Sequence, residues 1–211
     1  MQDCFLCAPD RALVYAESTA SVALCGLGPV VDGYSVVATR DHVRSCADAV
    51  LVNSDFIPFV KSVRETLIRR YGSCAMTEHG RLPVCTRPTG AEEHCFHAHF
   101  LLFPGSPEIL EAAQLHFGHS ECALSLDRGL ALARQHEEYF LLSPMPNAFF
   151  VMSRPLDLMR QFARYLVAKA LGHPERADWA EHPEKEKAQA YAEELIDLVP
   201  DPIRTPWIHR K

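Results

Sequence analysis

His94-Cys95-Phe96-His97-Ala98-His99-Phe100-Leu101-Leu102-Phe103-Pro104 is the stretch on which the reading of this chain turns. Apolar residues and histidines fill it, and Pro104-Gly105 closes it with a turn signal. It reads as a mostly buried β-strand. Side chains alternate across a strand, so His97, His99 and Leu101 fall on one face and Ala98, Phe100 and Leu102 on the other. Two imidazoles on one edge of a sheet are costly to bury unless each finds a partner. At this point a pair of hydrogen-bonded core histidines and a pair with chemical duties both meet that demand.

The chain has 211 residues, 48% of them hydrophobic, and a formal net charge of -6. That is enough apolar material for a sizeable core, as one long domain or a domain with an appendage. The pI of about 6.0 argues against a broad basic surface, and hence against binding of a nucleic-acid duplex. No apolar run approaches the ~20 residues of a membrane span, so no membrane partner is expected. Met1-Gln2-Asp3-Cys4 has neither the basic nor the apolar region of a signal peptide. The expectation is a cytoplasmic protein. In that reducing setting its eight cysteines serve as metal ligands, nucleophiles or core residues rather than disulfides. Eleven histidines direct the search towards a metal or a histidine-based reaction.

Cys4-Phe5-Leu6-Cys7 has two specific readings. A redox dithiol wants a strand before it and a helix after it. Half of a zinc site needs two more ligands from elsewhere. No strand precedes this pair and Pro9 follows at once, which favours the zinc reading over the redox one; two chance cysteines remain the plain alternative. Residues 12–17 and 20–25 read as short strands. After the Asp32-Gly33 turn, Tyr34 to Thr39 reads as a stronger one. It ends in Arg40-Asp41-His42, which places His42 as a third ligand.

Asn53-Ser54-Asp55 supplies capping side chains for an amphipathic helix with Phe56, Phe59, Val60, Val63 and Leu67 at helical spacing, closed by Tyr71-Gly72. Ser73 to Thr77 is another strand, followed by Glu78-His79-Gly80. A loop rich in Gly, Pro and charge then leads to the histidine strand and reads as a lid or site wall. From 106 to 136 the signals weaken. Pro107 to Leu115 reads as a helix. His116, His119 and Cys122 could in principle hold a second metal, but the segment reads as a surface loop. Tyr139 to Leu142 and Ala148 to Met152 read as a hairpin, 156–171 as a helix ended by Gly172, and 188–199 as a short helix before a Pro-rich end.

Four landmarks stand in order: Cys4-x-x-Cys7, the run from Gly33 to His42, Glu78-His79-Gly80, and His97 to Pro104. Together they resemble the histidine-triad (HIT) superfamily of nucleotide hydrolases and nucleotidyltransferases. Gln161, Arg164, Ala168 and Leu171-Gly172 resemble the C-terminal helix of bacterial HIT-like proteins with an extended tail. The resemblance implies an α+β fold: an antiparallel sheet with packed helices, plus a mainly helical C-terminal extension. It divides the chain into a HIT-like core with an N-terminal zinc site over residues 1–115 and an extension of hairpin and helices over 116–211, packed together as one domain.

The chemistry it implies is a two-step displacement at phosphorus. His99 is the nucleophile, with its other nitrogen held by the carbonyl of His97. Cys4, Cys7, His42 and His97 would form a closed tetrahedral set for Zn2+, structural rather than catalytic. Glu78, His79, His94, Gln161 and Arg164 would contact the nucleotide or its phosphates. The implied partner is a nucleotide-containing small molecule, and the implied assembly a homodimer.

One departure matters. The third histidine of the triad falls at residue 101, which is leucine. Leucine cannot contact a bridging oxygen or pass a proton to a leaving group, so altered substrate choice, slower turnover or loss of catalysis follows. His94 lies an odd number of residues from His97 and would need a bulge to reach the same face. Two alternatives stand beside the covalent reading. One is a catalytically impaired nucleotide-binding protein. The other is a metallohydrolase in which His97 and His99 chelate a catalytic metal with help from His79 or His94.

Overall fold

The structure is a computed structural model and describes residues 4–84, 96–105 and 107–200. Its centre is one antiparallel sheet of eight strands: β1 (Val14–Glu17), β2 (Ser21–Cys25), β3 (Ser35–Thr39), β4 (Cys74–Glu78), β5 (His99–Pro104), β6 (Phe117–Ala123), β7 (Phe140–Met145) and β8 (Ala148–Pro155). The spatial order is β1-β2-β3-β5-β4-β7-β8-β6. Residues after 116 therefore extend the sheet that the histidine strand belongs to. All residues of β2, β3 and β4 are buried, because helices cover both faces.

The helices are α1 (Cys46–Val52), α2 (Phe56–Tyr71), α3 (Leu110–Gln114), α4 (Leu126–Ala133), α5 (Phe162–Ala170) and α6 (Lys185–Ile196). This mixed architecture is the expected one: an antiparallel sheet with packed helices. None of the helices among the described residues is long and apolar enough to cross a membrane.

Period-two alternation sorts the packing. Phe100 on β5 stacks on Phe56 of α2 with ring centroids 5.9 Å apart. On the opposite face of the same strand, Phe103 stacks on Tyr34 at 5.1 Å. Arg164 of α5 lies over that Tyr34 ring, and Phe162 of α5 meets Phe140 of β7 edge-on at 5.2 Å. So α2 covers one face and α5 the other, the one that carries His99.

The long helix α2 matches its sequence signal. Phe56, Phe59, Val60, Val63 and Leu67 form the buried stripe, and Gly72 at φ +85 ends it. Asn53 Oδ1 accepts from the Asp55 backbone N–H at 3.2 Å, while Asp55 itself makes no side-chain cap. Arg64 is a buried charge within this helix. It donates from Nε and Nη2 to the Cys74 carbonyl at 3.0 and 2.8 Å, and to Ser143 Oγ and its carbonyl at 2.8 and 3.0 Å. One guanidinium thereby ties α2 to β4 and β7.

Five elements differ from the expectation. The histidine strand begins at His99; His94 and the preceding loop, and the Pro-rich end from residue 201, lie outside the described residues. The segment 116–122 is not a surface loop: Phe117–Ala123 pairs with β8. It is an edge strand, so His119, Ser120 and Glu121 face solvent and no apolar alternation marks it. α5 starts at Phe162 and not at 156, because Gln161 takes a left-handed backbone (φ +54) that breaks the helix there. Two helices, α1 and α4, carried no readable signal. In α1 the apolar Leu51 and Val52 are 66% and 74% exposed, which blurs its stripe. In α4 Gly129 sits mid-helix; a Cβ there would stand 3.1 Å from the Phe149 Cβ.

Arg64→Met leaves those buried carbonyl and hydroxyl acceptors without a donor. It is expected to cost about 2–4 kcal/mol, read as a lower midpoint with unchanged slope in urea unfolding.

Candidate functional site

Two turns of chain meet at the edge of β3 and β5. The N-terminal turn is closed by Cys7 N–H donating to the Cys4 carbonyl at 3.1 Å and is planted by Leu6, which is buried. The segment after β3 is held to the approach of β5 by Thr39 N–H to Ala98 O at 3.2 Å and Ala98 N–H to Val43 O at 2.6 Å. This clamp sets His42 and His97 with ring centroids 4.8 Å apart, edge to face. Cys4 Sγ lies 3.3 Å from His97 Nδ1, and Cys7 Sγ lies 3.1 Å from His42 Nδ1 and 3.5 Å from His97 Nδ1.

The four ligand atoms lie within 4.8 Å of one another. With Zn–S of ~2.3 Å and Zn–N of ~2.0 Å, sulfur and nitrogen on one tetrahedron stand roughly 3.5 Å apart, so the cluster has the dimensions of a zinc site. The tautomer agrees. His97 Nε2 is 2.7 Å from the Thr39 carbonyl, which can only accept, so Nε2 carries the proton and Nδ1 turns its lone pair to the sulfurs. These residues can hold a metal ion, and a donor set of two thiolates and two imidazoles suits zinc.

His99 opens β5 and is partly exposed. Its Nδ1 donates to the His97 carbonyl at 2.6 Å, which leaves Nε2 with a free lone pair. Burial lowers its pKa to about 4, so the ring is neutral at pH 7. β4 and β5 pair Thr77 with Leu101. Continuing that register sets His79 opposite His99, on the same face. His79 is buried, stacks on Phe140 at 5.5 Å, and accepts the Ala163 N–H of α5 on Nε2 at 3.0 Å. Its pKa is pushed down to about 3, by burial first and then by the neighbouring His99. Its Nδ1 then bears the proton and is buried with no hydrogen-bond partner. Leu101 is buried on the His99 face.

The structure does not bring Glu78 to His99. Alternation turns it to the α1 face, where it is buried. Its carboxylate accepts from the Cys46 N–H at 2.6 Å and the Tyr139 hydroxyl at 2.7 Å. Burial raises its pKa to about 7 against these two donors. Arg164 is also occupied. It donates to the carbonyls of Ala177 at 2.8 Å, Leu27 at 3.3 Å, Gly28 at 2.7 Å and Arg176 at 3.3 Å, so it fastens α5 to two loops rather than presenting its charge to an anion. Gln161 is buried, gives Nε2 to Asp178 at 3.1 Å and leaves Oε1 buried without a partner. His94 lies outside the described residues. A cavity of about 400 Å3 is lined by Arg44, Arg81, Phe96, Arg134 and His136, among others, and does not include His99.

What the sequence did not give is the service of the backbone. The Thr39 and His97 carbonyls fix both rings, and the clamp at Ala98 positions them; a carbonyl leaves no residue type to read.

No family model matches this sequence, and no curated protein matches it either. Among solved structures it is similar to a HIT-like protein involved in cell-cycle regulation from Bartonella henselae, at 14% identity over 47% of this chain and 72% of that one, with a TM-score of 0.35. It is also similar to a hypothetical histidine-triad nucleotide-binding protein from Sulfolobus tokodaii, at 19% identity over 48% of this chain and 68% of that one, with a TM-score of 0.35.

Glu78 makes stability pH-dependent with a defined sign. Its folded pKa of about 7 lies above the ordinary 4.5, so its stabilising contribution is full below that ordinary value and is lost as pH rises through about 7. The loss is on the order of 3 kcal/mol. Glu78→Gln is expected to remove that downward slope between the two pH values, measured by chemical unfolding across the range against the parent.

Proposed function

We propose that this protein hydrolyses or transfers a nucleotidyl group from a nucleotide phosphoester, phosphoanhydride or phosphoramidate, through a covalent intermediate on His99. The observation that carries the reading is the His99 Nδ1 bond to the His97 carbonyl at 2.6 Å. It turns an unprotonated Nε2 outward on a ring that stays neutral near pH 7.

In the first step Nε2 forms a bond to the α-phosphorus and the bond to the leaving atom breaks, the electron pair departing with that atom. In the second step water, or another acceptor, bonds to phosphorus and gives its proton to solvent as the Nε2–P bond breaks, the electron pair returning to Nε2 and restoring neutral His99. His79 Nδ1–H is a donor without a partner beside this ring, suited to an oxygen of the phosphoryl group. Leu101 has no proton to give. A leaving group that is stable as an anion, such as a phosphate or polyphosphate oxygen, departs without one; an amine does not. The reading therefore favours phosphoanhydrides over phosphoramidates.

Cys4, Cys7, His42 and His97 would hold Zn2+. Four protein ligands leave no open position, so the ion supplies a staple between the N-terminal turn and the sheet and no chemistry at phosphorus. The metallohydrolase alternative is short of donors: His97 has one nitrogen at the sulfurs and the other on Thr39 O, and His99 Nδ1 is on His97 O. The same proposal includes a homodimer, a single domain and a reducing, cytoplasmic setting in which the cysteines stay free.

Dinucleoside polyphosphate labelled at the α-phosphate and quenched in denaturant is expected to leave label on the parent chain and none on His99→Asn, with turnover down at least roughly 10^4-fold in the variant. Phosphoramidate turnover is expected to lag by roughly 100-fold, the usual worth of a missing general acid. If His99→Asn takes label at the parent rate, the covalent reading ends. A parent that binds nucleotide and never takes label is the impaired binding protein instead.

Stripping metal with a chelator is expected to lower the thermal midpoint of the parent, and Cys4→Ser to lower it without chelator, while His99→Asn leaves it in place. A midpoint indifferent to chelation would remove the structural ion.

A further inference from the structure

We propose that β6 carries a second metal site, in which His119, Glu121 and His136 hold a divalent transition-metal ion of the zinc class with coordination positions left open to water. The site is independent of the His99 chemistry. It also differs from the grouping of His116, His119 and Cys122 that the sequence offered, because Cys122 alternates to the other side of the strand while Glu121 shares a side with His119.

The geometry is that of a ligand set. His119 Nε2 lies 3.0 Å and His136 Nε2 3.5 Å from the same oxygen, Glu121 Oε1. All three ligand atoms fall within 4.8 Å of one another. Nitrogen and oxygen ligands at ~2.0–2.2 Å on one tetrahedron stand roughly 3.3 Å apart, between the two measured separations. His136 Nε2 is buried, and its contact with Glu121 Oε1 is too long for a well-formed hydrogen bond, a spacing that a shared ion fits.

The third ligand is held in place from outside. His136 follows α4, and Arg81 fixes its backbone, donating Nη2 to the His136 carbonyl at 2.9 Å and Nε to the Glu137 carbonyl at 2.7 Å. Arg81 is itself anchored on Asp48 at 2.8 Å. Two imidazoles and one carboxylate suit zinc, nickel, copper or iron more than calcium or magnesium. With side chains 43%, 37% and 23% exposed, the ion would keep bound water, unlike one in the closed Cys4–Cys7–His42–His97 set.

The test is titration of the metal-free full chain with Co2+, a spectroscopic stand-in for zinc, with bound metal counted after dialysis. The parent is expected to bind one equivalent more than His136→Ala or Glu121→Gln. The thiolate-to-cobalt absorption of the cysteine site is expected to be the same in all three, which also reports an intact fold. Cys7→Ser is expected to lose that absorption and keep the equivalent on β6, so failure of the cysteine site and failure of this one read differently. A parent that binds no more cobalt than His136→Ala overturns the proposal, as does an extra equivalent that survives both substitutions.

Discussion

Two backbone carbonyls decide what the paired imidazoles can do. A carbonyl oxygen has no proton, so the ring nitrogen facing it must supply one. The Thr39 carbonyl faces His97 Nε2 at 2.7 Å and the His97 carbonyl faces His99 Nδ1 at 2.6 Å. The two rings are therefore locked in opposite tautomers, one turning Nδ1 to the sulfurs of Cys4 and Cys7, the other turning Nε2 outward. Neither lock survives without the pairing of Thr39 N–H with Ala98 O and Ala98 N–H with Val43 O. A short stretch of regular hydrogen bonding thus sets the two rings in the opposite tautomers that the proposed ligand and the proposed nucleophile each require, with no change in residue type.

Neutrality is the second constraint, and it follows from packing. The face with His99 also carries Ala38 and His79 in the same row and is roofed by α5, whose Phe162 packs on Phe140. Burial holds His79 and His99 to pKa values of about 3 and 4. A charged imidazolium would not attack phosphorus, so this desolvation suits the role proposed for His99. The other side of β4 bears the opposite shift: burial beneath α1 pushes the Glu78 carboxyl up to about 7. The two consecutive residues Glu78 and His79 titrate in reverse order of their ordinary values because alternation sends them to two separately sealed faces.

Much of this was legible in the sequence where one residue class dominates locally. The apolar run after His97, the Tyr34 to Thr39 strand and the stripe of α2 needed no tertiary information. The Cys4–Cys7 pair and His42 could be read together because thiols and imidazoles have few other reasons to recur at strand ends. Register was not legible. That His79 and not Glu78 stands opposite His99 follows from Thr77 pairing with Leu101, a relation between strands that residues 79–98 separate in the chain. Arg164, expected at the nucleotide, is spent instead on the carbonyls of Leu27 and Ala177, a tertiary relation that its own helix does not carry. β6 was hidden by its place at the sheet edge, where solvent-facing His119, Ser120 and Glu121 erase the apolar pattern that marks interior strands.

Leu101 then takes on a physical meaning that its position in the motif alone does not give. It is not a polar site left vacant; it is packed beside Val36 and Thr77 on the face that α5 covers. A histidine in its place would need a partner in a region where Thr77 Oγ1 already has none. The leucine therefore goes with the roof: once α5 seals that face, an apolar residue is the cheaper occupant, and His99 remains the member of its row with surface to offer, since Val22, Ala38, His79 and Phe140 are buried. In the proposed displacement His99 would meet its substrate with no proton donor at residue 101. Under that proposal selection would follow leaving-group stability, because a leucine cannot make a poor leaving group better.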